Sequence, residues 1–190
     1  MENIYTSYIK KLTEQITKLD FQEIDRLRVL IDSTRSKGNT IYIFGNGGSG
    51  ANSSHIAGDY LKSLNNGQKN RIRIICLNDN FPAIGAIAND IDYNDIFKNQ
   101  LSALIKPGDL VIGLSGSGKS KNVVRALKCA NQMSATTVGL VGFDGGEVLK
   151  IANLCLHIQI PDMEIVEDIH MMIFHMLKKS LLAGKEYTYI

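Results

Sequence analysis

The sequence predicts an α/β fold: a doubly wound, five-stranded parallel sheet with an N-terminal helical arm. Three observations predict it. Residues 1–37 contain neither Gly nor Pro and repeat apolar residues at spacings of three and four. From residue 38 onward, short apolar runs alternate with helical stretches. Two glycine-rich segments each follow an apolar run directly and lead into a helical stretch.

Within the arm, Ile4, Tyr8, Leu12, Ile16 and Leu19 make one stripe, and Phe21, Ile24, Leu27 and Ile31 make a second. The break falls near Asp20, so the arm reads as two helices. Its apolar stripe must be buried, on its own domain or on a neighbouring subunit. Strands are predicted at 40–44, 72–77, 110–114, 136–141 and 154–158. Helices are predicted at about 51–64, 82–88 with 93–105, 120–132, 146–151 and 164–182. Alternating strands and helices imply right-handed crossovers, hence a parallel sheet covered on both faces. Five strands suit a flavodoxin-like order, in which ligands bind beyond the carboxyl ends of the strands. No repeat, linker or low-complexity segment interrupts the chain. Residues 1–190 read as one domain, with 1–37 the arm and 38–190 the α/β core.

A chain of 190 residues is long enough for one substantial core. A net charge of +2 and the lack of basic runs argue against nucleic acid or an anionic membrane as partner. No signal peptide pattern or long apolar span is present, so the expectation is a soluble cytoplasmic protein. The three cysteines, Cys76, Cys129 and Cys155, are odd in number and widely spaced. They form neither a disulfide framework nor a cysteine zinc pattern and read as buried core thiols.

The first glycine-rich loop is Gly45-Asn46-Gly47-Gly48-Ser49-Gly50; the second is Ser115-Gly116-Ser117-Gly118-Lys119-Ser120. Glycine allows sharp turns and close approach to backbone amides. Free N–H groups and the dipole at a helix start favour an anion. Serine hydroxyls add donors. Two such loops on neighbouring strands point to one crevice that holds a phosphate. The second loop also lies within Gly113–Ser120, which fits G-x-x-x-x-G-K-[ST] letter for letter. In a nucleotide hydrolase, Lys119 would reach phosphates, Ser120 would bind magnesium, and Asp79 would be the partner aspartate. That reading leaves a second phosphate loop and the histidines without a task, so it is the weaker one.

His55 and Asp59 are four apart on a predicted helix, one turn from each other on one face. Glu167 and His175 are eight apart on the last helix, an offset of about 80°. His170 lies about 140° from His175, so the two do not serve one centre. Two imidazoles and two carboxylates suit a divalent metal such as zinc. The same groups suit proton transfer beside a carbonyl. A plain helix-surface pair is the competing reading for residues at this spacing. His157 lies in a strand and receives no role.

The runs GNGGSGANSSHIAGDYLKSL, AIANDIDYNDIF, GLSGSGKSKNVVRAL, GLVGFDGG and VEDIHMMIFHML, in this order, resemble the sugar-isomerase (SIS) domain family. Within it they are similar to the sedoheptulose 7-phosphate isomerase branch. The likeness covers nearly the whole chain. It implies a cytoplasmic aldose–ketose isomerase that feeds heptose into bacterial surface polysaccharide, assembled as a homotetramer with sites between subunits. By position it implies that Ser49, Ser115, Ser117 and Ser120 bind the sugar phosphate, beside Gly116. Asn46 and Asp90 contact the hydroxyls and the carbonyl end. The implied zinc ligands are His55, Asp59, Glu167 and His175. The catalytic groups are His175 and one carboxylate, Asp59 or Glu167. Asp59 is one methylene shorter than the family's usual glutamate, Glu167 replaces a neutral glutamine, and Lys119 stands where relatives often carry asparagine. A non-catalytic branch of the same family binds phosphosugars or a replication initiator and is the alternative.

Overall fold

Asn3 opens the first helix by accepting the Tyr5 N–H, 3.0 Å away. The computed structural model describes residues 3–65 and 70–183. Helix α1 (Ile4–Ile16) gives way to α2 (Phe21–Ser36), which Asp20 caps by accepting from the amides of Gln22 and Glu23. The break is therefore set by an N-cap, which satisfies helix-end donors that would otherwise lack partners.

The strands are β1 (Thr40–Gly45), β2 (Arg73–Cys76), β3 (Leu110–Ser115), β4 (Thr136–Val141) and β5 (Leu154–His157). They are parallel and ordered β2-β1-β3-β4-β5, the flavodoxin-like order. The intervening helices are α3 (Gly47–Asn65), α4 (Phe81–Asp90), α5 (Ile96–Leu104), α6 (Lys121–Gln132), α7 (Val148–Ile151) and the long α8 (Met163–Leu182). A short 3-10 turn (Tyr93–Asp95) precedes α5.

Strand alternation builds two cores. Ile41 and Ile43 face one side, against α2, α3 and α8; Tyr42 and Phe44 face the other, with α5 and α6. Strand β3 is buried along its whole length, as expected for the centre of a two-sided parallel sheet. The arm's stripe packs on its own chain. Tyr8, Leu12, Ile16 and Leu19 lie against the α2–α3–α8 core. The arm is pinned to α8 by a Tyr8 hydroxyl donating to Asp168 at 2.6 Å and by a Lys11–Asp162 ion pair at 3.3 Å. Ile4, at the head of that stripe, instead stays exposed together with Tyr5 and Ile9.

The register pairs Gly45 with Leu114 and Ser115 with Val141. The loops after β1, β3 and β4 thus leave the sheet at one end, where the site is built. Of the cysteines, Cys76 is buried while Cys129 and Cys155 are half-buried. Burial pushes the Cys76 and Cys155 thiols up to about 12, consistent with inert packing groups.

Candidate active site

The first glycine loop does not precede α3; it becomes its first turn, which begins at Gly47. Its entry is clamped by Asn78, whose amide donates to the Gly45 carbonyl at 2.8 Å and accepts the Gly45 N–H at 3.2 Å. Above this turn lies Glu167 of α8. Its carboxylate accepts the Ser49 hydroxyl at 3.2 Å, and Asn52 donates to its backbone carbonyl at 3.0 Å. A Cβ on Gly48 would land on that carboxylate and push it aside. A negative group at a helix start is favourably placed. The anion seat of the first loop is thus filled from within.

The second loop is open. Ser115 donates its hydroxyl to Ser120 at 3.2 Å, and Ser117 accepts the Lys119 N–H at 3.2 Å. Ser120 is the N-cap of α6 yet makes no side-chain cap. At the start of α6 the Val123 N–H is instead taken by Asn122 Oδ1 at 2.9 Å, while Ser120 leaves its own hydroxyl off the helix-end donors. Gly118 has φ +66°, and a Cβ there would collide with the Gly145 carbonyl. Its own carbonyl accepts from the amides of Glu147 and Val148 at 2.9 and 3.0 Å, which props the loop on the segment after β4. Gly116 faces Met163 of α8.

This geometry disposes of the nucleotide reading. Gly113, the first letter of the pattern, is paired inside β3 with Phe44 and Gly139. Only five residues separate the strand from the helix, and the Lys119 ammonium points to Asp144, 2.7 Å away on the surface. That contact holds the Asp144 carboxyl below the usual carboxylate range. Asp79 accepts the Ser54 hydroxyl at 2.6 Å instead of meeting this loop.

The two loops are joined by a reciprocal amide pair. Asn46 and Asn122 each donate to the other at 2.9 Å, and the Tyr93 hydroxyl donates to Asn46 at 3.3 Å. Asp90, expected to meet the sugar, lies exposed at the end of α4 and accepts from Asn89 at 2.7 Å.

Farther along α3 and α8, His55, Asp59 and His175 converge. One ligand-type atom from each lies within 4.8 Å of the others. The His55 and His175 Nε2 atoms are 3.5 Å apart. Two imidazoles on a tetrahedral zinc, each bonded at about 2.0–2.1 Å, place their nitrogens about 3.4 Å apart, so the pair fits such an ion. Burial, then the nearby Lys178 ammonium, pushes His175 below the ordinary histidine value. The helices are held together beneath the cluster by the buried Tyr60, which donates to the Phe174 carbonyl at 2.9 Å.

Of the four expected ligands, His55, Asp59 and His175 come together among the described residues, and Glu167 does not join them. Eight residues of helix rise about 12 Å, which carries Glu167 away from His175 and onto the first loop. Lys178 of α8 also reaches this cluster. Its ammonium sits 2.5 Å from the Asp59 carboxylate. Sequence reasoning missed Lys178, although it lies three residues beyond His175 and so on the same helix face. It also missed Asn78 and Asn122, which no spacing rule links to the loops they hold. His170 is fully buried, and burial pushes it down to about 4. His157 meets the Phe143 carbonyl at 3.0 Å.

Comparison with known proteins identifies relatives of this chain and of its fold. A family model described as the SIS domain matches residues 4–142. A phosphoheptose isomerase from Clostridium acetobutylicum is 33% identical, covering 97% of this chain and 98% of its own. A probable phosphoheptose isomerase from Thermoplasma acidophilum is also 33% identical, with 90% and 93% covered. The solved structure of a phosphoheptose isomerase from Francisella tularensis superposes with a TM-score of 0.87 at 22% identity, over 93% of this chain and 95% of that one.

Proposed function

The chain belongs to the SIS-domain family, and from that membership we propose that it is a phosphoheptose isomerase, interconverting sedoheptulose 7-phosphate and D-glycero-D-manno-heptose 7-phosphate. The single observation that supports this most is the run of α3 and α8. The same two helices that flank the serine-lined loops carry His55, Asp59 and His175 to one point.

In this reading the phosphate sits at the start of α6, bound by Ser115, Ser117 and Ser120, and Asn46 and Asp90 orient the hydroxyls. Anchoring the far end positions the reacting carbons. Asp59 removes a proton from C1 of the ketose, leaving a cis-enediolate. His175 protonates O2 and takes the proton from O1. The proton held by Asp59 returns to C2, giving the aldose. Asp59 is preferred over Glu167 as base because it lies with both imidazoles. His55, Asp59 and His175 have the donor chemistry to hold zinc, which when bound supplies Lewis-acid polarisation of the carbonyl.

We read residues 1–190 as one such domain, since the arm buries its stripe in the core that covers the sheet. The exposed apolar residues Ile4, Tyr5, Ile9 and Phe81 support association with further copies, and we take the assembly to be a homotetramer in the cytoplasm. The test is an assay with sedoheptulose 7-phosphate on purified protein, before and after chelation and after zinc add-back. Turnover, its loss on chelation and its return with zinc are expected. Absence of conversion in every state refutes the reading.

A further inference from the structure

We propose that Lys178 is a resident cation of the His55–Asp59–His175 cluster, competing with a divalent ion for Asp59 and setting how tightly that ion is held. The inference rests on the reading of that cluster as a metal site. The Lys178 ammonium is 2.5 Å from Asp59 Oδ2, and the Ser63 hydroxyl faces the other carboxylate oxygen at 3.5 Å. The Lys178 and Asp59 side chains are 13% and 21% exposed. Of the ion pairs among the described residues, this one alone has both partners below a quarter exposed; the Lys119–Asp144 pair, at 61% and 64%, is the opposite case.

The placement follows from helix geometry. His175 and Lys178 are three apart on α8, and His55 and Asp59 are four apart on α3, so all four side chains emerge on the facing sides of two packed helices. Before an ion arrives, Lys178 balances the charge of Asp59 in a setting where water screens it only in part. An ammonium at this distance and a divalent cation repel each other strongly when they share one carboxylate. Ion entry therefore requires Lys178 to swing away, which its long flexible stem permits. The cluster alternates between a lysine-filled and an ion-filled state, and the ion's apparent affinity carries the cost of displacing the lysine.

The test is a cobalt(II) titration of the chelator-stripped full chain, followed by visible absorption, with zinc competition against a chromophoric chelator. Wild type, Lys178→Met, Lys178→Arg and His55→Ala are compared, and thermal melting of each stripped protein confirms that it is folded. Lys178→Met is expected to bind the ion about tenfold more tightly or better, as for removal of a competing partly buried ion pair. Lys178→Arg is expected to stay close to wild type, and His55→Ala to bind weakly. Equal or weaker binding by Lys178→Met overturns the proposal while leaving the metal site standing. If neither wild type nor Lys178→Met binds either ion, the metal reading falls and this proposal with it. The isomerase assay on stripped protein then still decides the catalytic reading by itself.

Discussion

Acid should weaken this protein in part through His170. It is completely buried on α8, next to the end of β4 that forms the floor of the site, and neither ring nitrogen makes a well-formed hydrogen bond among the described residues. Burial lowers it from 6.5 to about 4 in the folded chain, and the nearby Val141 backbone opposes this only in part. The folded state thus keeps His170 neutral while the unfolded chain charges it below pH 6.5. The stabilisation is complete above pH 6.5 and is lost progressively as the pH falls from there towards 4. From these two values the loss is about 2 kcal/mol at pH 5 and about 3 kcal/mol at pH 4. Urea denaturation between pH 7.5 and 4.5 measures it, with His170→Leu as reference. The comparison is between slopes of unfolding free energy against pH, so a constant packing change in the variant cancels. Wild type should lose about 2 kcal/mol more than His170→Leu between pH 7.5 and pH 5. Parallel curves for the two proteins refute the reasoning.

Other outcomes follow from the loops and the cluster. Ser117→Ala combined with Ser120→Ala should raise KM roughly 100-fold with a smaller change in kcat, since each hydroxyl–phosphate bond is charge-assisted; steady-state kinetics decide it. Gly118→Ala should destabilise the fold by about 2 kcal/mol or more, because a left-handed backbone and a collision with the Gly145 carbonyl act together. Chemical denaturation at neutral pH reads that change. His175→Ala should lower kcat by about 10²–10³ and leave KM within a few-fold, as for loss of an acid–base partner. Normal isomerisation by that variant removes His175 from acid–base chemistry at the substrate oxygens.

Much of the fold is legible in the sequence because its signals are local. Apolar runs and helical spacing locate every strand and helix among the described residues, and α3 is the element whose extent differs most. Its pattern places the start near residue 51, since Gly47 and Gly48 read as loop, whereas packing under Glu167 draws both into the first turn. The strand order follows from chain order and handedness, which constrain parallel sheets severely. The site is legible in part. The pairing of His55 with Asp59 is a matter of one helical turn, but the company each keeps depends on how α3 meets α8. Helix spacing allows Glu167 and His175 to share a side, yet the axial rise between them sends the two to different ends of the crevice. Lys178 and Asn122 act across elements far apart in the chain, and no local pattern encodes such encounters.

The Asn46–Asn122 amide pair has a consequence for how this sequence can drift. Each carboxamide offers one donor and one acceptor to its twin, so the fit survives only while both ends keep both functions. Aspartate at either position would set an oxygen against an oxygen, and leucine would leave the other amide's NH₂ without its carbonyl partner. Substitution at one end should therefore be tolerated only alongside a matched change at the other, tying together two residues separated by 76 positions along the chain.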